Sequence, residues 1–239
     1  MLISIILCSY NETGRIQHAV HQLQQELASV KFQYELIFVD NASTDGTREW
    51  IESLPDINTI KILNRTNIGK GGSIRLGLEA SSGEYVIIHD PDLEYDAKDI
   101  PALLKNALDN NAQLALGSRV LGGEDISYKY FQNYIGVAVL TKIINILFRS
   151  QITDPATALK IMESHFIKSV VLTDTGFNLD FEIVVKTLKL GGLISETRIS
   201  YYPRTKAEGK KLKAWKDGLA SLITILKCRL QSSKKFTQS

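Results

Sequence analysis

A chain of 239 residues, 44% hydrophobic and 23% charged, has the make-up of one large globular domain, or a domain with a tail. A formal net charge of +2 argues against a nucleic-acid partner. Cys8 and Cys228, the two cysteines, make neither a disulfide framework nor a zinc site, so a reducing, cytoplasmic setting is the expectation.

Residues 2–7 are a short apolar run, the pattern of a strand buried on both faces. No basic flank precedes them, which argues against a signal peptide. A helix is predicted over 14–29, with Ile16, Val20, Leu23 and Leu27 at helical spacing. A second strand, 34–39, ends in Asp40. The turn and capping residues 41–47 then open a helix containing Trp50 and Ile51. A strand at 59–63 leads to the glycine-rich loop 67–72 and a helix carrying Ile74, Leu76 and Leu78. The fourth strand, 84–89, runs into Asp90-Pro91-Asp92-Leu93-Glu94. A helix over 100–110 and a strand at 114–116 follow, ending in Gly117-Ser118-Arg119. This alternation predicts an α/β fold with a mostly parallel central sheet, helices on both faces and polar clusters along one rim.

Beyond residue 128 the pattern changes. A helix over 134–148 is apolar around most of its circumference, interrupted by Lys142. It reads as a buried helix or subunit contact, or as a helix resting on a membrane surface. A strand at 157–162, helices at 165–172 and 177–190, and an edge strand at 194–202 complete the expected domain, 1–211. The tail, 212–239, follows the basic residues Arg204, Lys206, Lys210 and Lys211 and begins with Lys213 and Lys216. Leu212, Trp215, Leu219, Leu222, Ile223, Leu226 and Leu230 recur there at helical spacing. An amphipathic helix over 212–230 suits anionic lipid, or packing on the domain with a solvated basic face. No uncharged apolar run reaches the roughly 18–20 residues that span a bilayer.

Asp90 and Asp92 are the first chemical signal. Residues i and i+2 of an extended chain project to one side, so both carboxylates face a point beyond the strand's carboxyl end. Two hard oxygen donors there suit Mg²⁺ or Mn²⁺, with phosphate oxygens completing the shell. An acidic turn broken by Pro91 is the plainer alternative. His89 points the other way and reads as a core histidine.

Ser9-Tyr10-Asn11-Glu12, Val39-Asp40-Asn41-Ala42-Ser43-Thr44-Asp45-Gly46-Thr47, Asn67-Ile68-Gly69-Lys70-Gly71, Asp90-Pro91-Asp92-Leu93-Glu94-Tyr95 and Gly117-Ser118-Arg119 occur in this order. Together they resemble glycosyltransferase family 2, the nucleotide-diphospho-sugar transferases of GT-A fold. The stretch from Tyr201-Tyr202-Pro203-Arg204 to Lys211 is similar to the branch of dolichol-phosphate mannose and glucose synthases and bacterial polyprenyl-phosphate glycosyltransferases. Asn41 departs from a frequent second aspartate, Pro91 from a small residue, and Ala156-Thr157-Ala158 from Thr-Thr-Gly.

The resemblance implies an inverting, metal-dependent transferase with a nucleotide-diphospho-sugar donor. Asp40, Tyr10, Glu12 and the backbone near Cys8 would hold base and ribose, although Asp40 also suits a helix N-cap. The glycines around Lys70 would let the backbone approach the donor, and Lys70 would add a positive charge. Asp92, with Asp90, would hold the metal, and Glu94 would stand behind them. Arg119 and Arg204 would clamp phosphates, or else form surface ion pairs. Asp180, Glu182 and Asp154 fall near the acceptor. A sugar hydroxyl there needs a general base, whereas a polyprenyl phosphate is already anionic near neutral pH. Polyprenyl phosphate is the preferred acceptor, approached at the membrane face through 134–148 and 212–230. A glycan acceptor and a non-catalytic nucleotide-sugar-binding module are the rivals.

Overall fold

The computed structural model describes residues 1–28, 30, 32–122, 131–205 and 214–237. The expected domain boundary at 211/212, Leu212 and the basic residues Lys206, Lys210, Lys211 and Lys213 lie outside them. The strands are β1 (Leu2–Ser9), β2 (Gln33–Asp40), β3 (Thr59–Leu63), β4 (Tyr85–Ile88), β5 (Leu114–Ser118), β6 (Lys160–Glu163) and β7 (Ile194–Arg198). They form one sheet in the order β3-β2-β1-β4-β6-β5-β7. The pairs β1–β2, β1–β4, β2–β3 and β5–β7 are parallel. The strand expected near 157–162 is β6, which runs antiparallel to both β4 and β5.

Residue alternation sorts the core. Ile5 and Ile87 face one side with α1 (Arg15–Ala28), α2 (Thr47–Ser53) and α4 (Ile100–Asp109). Ile6 and Ile88 face the other, with α3 (Gly69–Ala80), α5 (Phe131–Phe148), α6 (Ser164–Ser169), α7 (Leu179–Lys189) and α8 (Ala214–Leu230). The chain leaves β1 for β2 on one side, while β4 lies on the other. Such a reversal of strand order opens a crevice at the carboxyl ends. The Cys8, Asp40 and Asp90 clusters all reach that rim.

The C-terminal helix is built outside-in. Its packed side is Ser221, Thr224, Ile225 and Cys228. Most of its apolar row points outward, with Trp215 87%, Leu219 51% and Leu230 86% exposed, together with Ile223 and Leu226, while Leu222 is half-buried against the core. The helix packs on the domain and its basic residues Lys216, Lys227 and Arg229 are exposed. On neighbouring α5, Leu140 and Ile144 are buried while Ile135, Val139 and Ile146 are exposed. Among the described residues no helix is long and apolar enough to cross a membrane.

Candidate active site

A cavity of about 480 Å³ opens at the crevice. Its rim includes Tyr10, Glu12, Lys70, Asp90, Asp92 and Arg204, and it continues under α5 and α8 to Val137, Leu140, Gly218 and Ser221. Cys8, Arg119 and Asp180 also line it, so nine of the predicted site residues named here share one space.

Asp40 is the exception. It is fully buried and does not line the cavity. Its carboxylate accepts the Ser43 N–H at 3.2 Å and faces Arg48 at 3.4 Å. The cavity wall at this point is Asn41, whose Oδ1 accepts the Ile68 N–H and whose Nδ2 donates to Asn67. Asn11, Ser43, Asp45 and Thr47 lace the first two rim loops together: Asn11 N–H donates to Ser43, Glu12 N–H to Thr47, and Thr13 N–H to Asp45. Much of the second motif therefore holds Tyr10 and Glu12 in place. Burial, and after it the nearby Asp90, pushes the Cys8 thiol well above its ordinary range, so this cysteine is inert as a nucleophile.

The glycine-rich segment is the first turn of α3, not a separate loop. A Cβ on Gly69 would lie 2.2 Å from the Thr175 carbonyl oxygen, and one on Gly71 2.6 Å from that of Asp174. Gly71 N–H donates to Thr175 at 2.8 Å. These glycines admit the 173–178 loop, while Gly69 also lines the cavity. Glu182 accepts from Thr173 N–H, Thr173 Oγ1 and Asp174 N–H, and pairs with Lys186 at 2.5 Å. It is a loop anchor and does not line the cavity. Gly71→Ala is expected to destabilise the protein by roughly 1–3 kcal/mol, because backbone must move on one side of the contact. Chemical denaturation would measure it.

Asp90 and Asp92 each pair with a cationic side chain. Lys70 Nζ is 2.7 Å from Asp90 Oδ2, and Arg204 Nη2 donates to Asp92 Oδ2. Burial, and then Asp90, pushes the Asp92 carboxyl up to about 7, although Arg204 opposes this. A pair of hard oxygen donors in a group that also holds Glu12 and Glu94 against Lys70 and Arg204 fits Mg²⁺ or Mn²⁺. Among the described residues there is no group of three or more His, Cys, Asp or Glu able to hold a metal. Two carboxylates would leave the remaining positions to phosphate and water, as Mg²⁺ prefers. Leu93 takes a left-handed conformation, φ 65°, which folds the Glu94 N–H back onto Asp92 at 3.0 Å. Glu94 then accepts from Tyr201 Oη at 2.7 Å and from the Arg204 backbone at 3.1 Å. It fastens the 201–204 strap across the rim.

Arg119 is forked onto Asp154, Nε to Oδ2 and Nη2 to Oδ1, both 2.7 Å. Asp154 is fully buried and outside the cavity lining, so it orients Arg119 and does not serve as an acceptor-side base. His89 is buried, and that burial pushes its imidazole down to about 4, as a neutral core histidine. Lys160, which motif reading passed over, is fully buried and meets Asp180 at 2.7 Å. Its signal in the sequence is a lone lysine between Leu159 and Ile161, at the start of β6.

The profile described as Glycosyl transferase family 2 matches residues 4–169, about 69% of the chain and all of the Asp90–Asp92 rim. The chain belongs to glycosyltransferase family 2. It is 27% identical over 189 residues to a dolichol-phosphate mannosyltransferase of Pyrococcus furiosus, covering 78% of this chain and 53% of that one. It is 25% identical over 219 residues to the low-salt glycan biosynthesis hexosyltransferase Agl6 of Haloferax volcanii, covering 90% and 51%. A dolichyl-phosphate beta-glucosyltransferase of Dictyostelium discoideum is 23% identical over 245 residues, covering 96% and 74%. The chain thus spans about half the length of the first two relatives. Glucosyl-3-phosphoglycerate synthase from Mycobacterium tuberculosis, solved with Mn²⁺, UDP and phosphoglyceric acid, superposes with a TM-score of 0.73 at 18% identity, over 97% of this chain and 79% of that one. The family 2 chain therefore has the GT-A fold.

Proposed function

We propose that this chain transfers a sugar, with inversion, from a nucleotide-diphospho-sugar to a polyprenyl phosphate. One observation carries the choice of acceptor. The cavity holding Asp90 and Asp92 runs beneath α5 and α8, the two helices whose apolar rows face outward. An apolar row beside the exposed basic residues Lys142, Lys216, Lys227 and Arg229 suits an anionic lipid surface. The mannosyl- and glucosyltransferase relatives bear dolichol-phosphate or dolichyl-phosphate names, which supports the same reading.

Tyr10, Glu12 and Asn41 would bind the nucleoside side of the donor. Asp90 and Asp92 would hold Mg²⁺ or Mn²⁺, which neutralises the departing nucleoside diphosphate when bound. Arg204 reaches the same point and would share the diphosphate charge. Arg119, held rigid by Asp154, would orient the acceptor phosphate. That phosphate is already ionised near neutral pH and attacks the anomeric carbon opposite the leaving group.

The test is to supply radiolabelled UDP-glucose or GDP-mannose with Mn²⁺ and polyprenyl phosphate in anionic vesicles. Label should enter an organic-soluble product released by mild acid. Label appearing only in an acid-stable glycan would favour a sugar hydroxyl acceptor. Trp215→Asp with Leu219→Asp is expected to release the protein from the vesicles on flotation, while leaving nucleotide binding intact. Undiminished flotation would remove the membrane contact.

A further inference from the structure

Four charges alternate from beneath the sheet to the cavity. Lys160 Nζ, on β6, donates to the Thr157 carbonyl and lies 2.7 Å from Asp180 Oδ1. Asp180 Oδ2, in the first turn of α7, is 3.8 Å from Lys70 Nζ. Lys70 Nζ is 2.7 Å from Asp90 Oδ2 and lies over the Phe177 ring. Lys70, Asp90 and Asp180 line the cavity, whereas Lys160 is fully buried and does not. Lys160 is out of reach of anything in the cavity, yet a buried ammonium is expensive to keep unless it compensates a charge.

Its charge has a consequence two residues away. Asp180 and Lys160 together are neutral, so Asp90 is the one uncompensated carboxylate beside Lys70, and a cation bound at Asp90 would leave Lys70 to a phosphate entering the cavity. Remove Lys160, and Asp180 becomes an uncompensated buried carboxylate that competes for Lys70. We propose that Lys160 is a positioning residue: it neutralises Asp180 from behind, making that carboxylate a strut that aims Lys70 at a phosphate group. On this inference Asp180 takes no proton from the acceptor. This fits the phosphate-acceptor reading of the preceding section and rests on it for the identity of the acceptor alone.

The experiment is a suppression test with Lys160→Met, Lys160→Arg and the double variant Lys160→Met/Asp180→Asn. Two readouts are taken on protein whose folding is checked by circular dichroism. These are Mn²⁺-dependent UDP and GDP affinity by calorimetry, and KM and kcat for short-chain polyprenyl phosphate. Lys160→Met is expected to lose about 10–100-fold in one of them, the scale of one charge-assisted contact. Loss of nucleotide affinity assigns Lys70 to the donor phosphate, and a raised acceptor KM assigns it to the acceptor phosphate. Lys160→Arg should recover part of the loss. The double variant should recover most of it, because the stranded charge is gone. A double variant as poor as the worse single one, or worse, overturns the inference and returns Asp180 to the role of a base. A folded Lys160→Met protein unchanged in both readouts also overturns it. The nucleotide arm needs no acceptor, so it decides the matter even if the wild-type protein labels no lipid phosphate.

Discussion

Asp92→Asn is expected to abolish the metal-dependent stabilisation that a nucleoside diphosphate gives this protein. At a nucleotide concentration 100 times Kd, binding to the native state adds about 2.7 kcal/mol. For a domain of this size that is a rise in Tm of roughly 5–11 °C. The rise should occur in the wild-type protein with Mn²⁺ and vanish in the variant. Transfer should fall by roughly 10²–10⁴-fold, the equivalent of the several kcal/mol that a bound cation contributes to a developing leaving-group charge. The unliganded variant should be no less stable than wild type, because asparagine removes the desolvation of an ionised carboxyl and its repulsion with Asp90. The pH dependence has a definite sign. Burial and Asp90 hold the Asp92 carboxyl protonated below about 7, and a divalent ion must displace that proton. Metal affinity should drop by about tenfold for each pH unit below 7, and level off above it. A flat profile, or a Tm rise retained in Asp92→Asn, would show that the donor is held without this carboxylate.

Arg204→Gln is expected to move two affinities in opposite directions. The guanidinium bridges three carboxylates: Asp92, Glu12 at 3.1 Å and Glu94 at 3.3 Å. It stands where a cation belongs, so Mn²⁺ must displace it from Asp92. Removing it should tighten Mn²⁺ binding in the absence of nucleotide by about tenfold, since one charge-assisted contact no longer competes. Once a nucleotide is present the same side chain becomes a partner for the diphosphate. Affinity for the Mn²⁺–nucleotide complex should then weaken by about 10–100-fold. Electron paramagnetic resonance of free Mn²⁺ gives the first number and calorimetry the second. General damage to the site would weaken both, so the opposed signs identify the exchange. Metal affinity unchanged in Arg204→Gln would mean that guanidinium and ion do not share Asp92.

The site was legible where its signals are local. Asp90 and Asp92 follow from an abrupt strand end, and both line the cavity, although β4 stops at Ile88 and Pro91–Asp92 is a turn and not extended chain. Lys70, Arg119 and Arg204 reach the same space, although their partners could not be read from spacing. Asp180, Asp154 and Glu182 looked alike in sequence, three acids near an expected acceptor. In the fold Asp154 orients Arg119, Glu182 anchors the 173–174 backbone, and Asp180 lies between two lysines. Those partners are 35 residues away for Asp154 and 20 for the Asp180–Lys160 pair, beyond any local pattern. Asp40 shows the converse. Its neighbours Ser43 and Arg48 are close in sequence, yet it is not the helix N-cap that a local reading allows, because α2 begins only at Thr47 with Gly46 as its cap.

By itself the sequence determined the alternating α/β order, the rim that gathers the polar clusters and the acidic pair at the end of β4. Each follows from side-chain period or from where an apolar run stops, and both are properties of short segments. It also determined that α8 has an apolar face. Only the tertiary structure decided that this face turns outward, because helical period names a face and not the side on which the core lies. The same holds for Lys160. A lysine in an apolar strand demands a compensating charge, and only the packing of α7 against the sheet supplies Asp180.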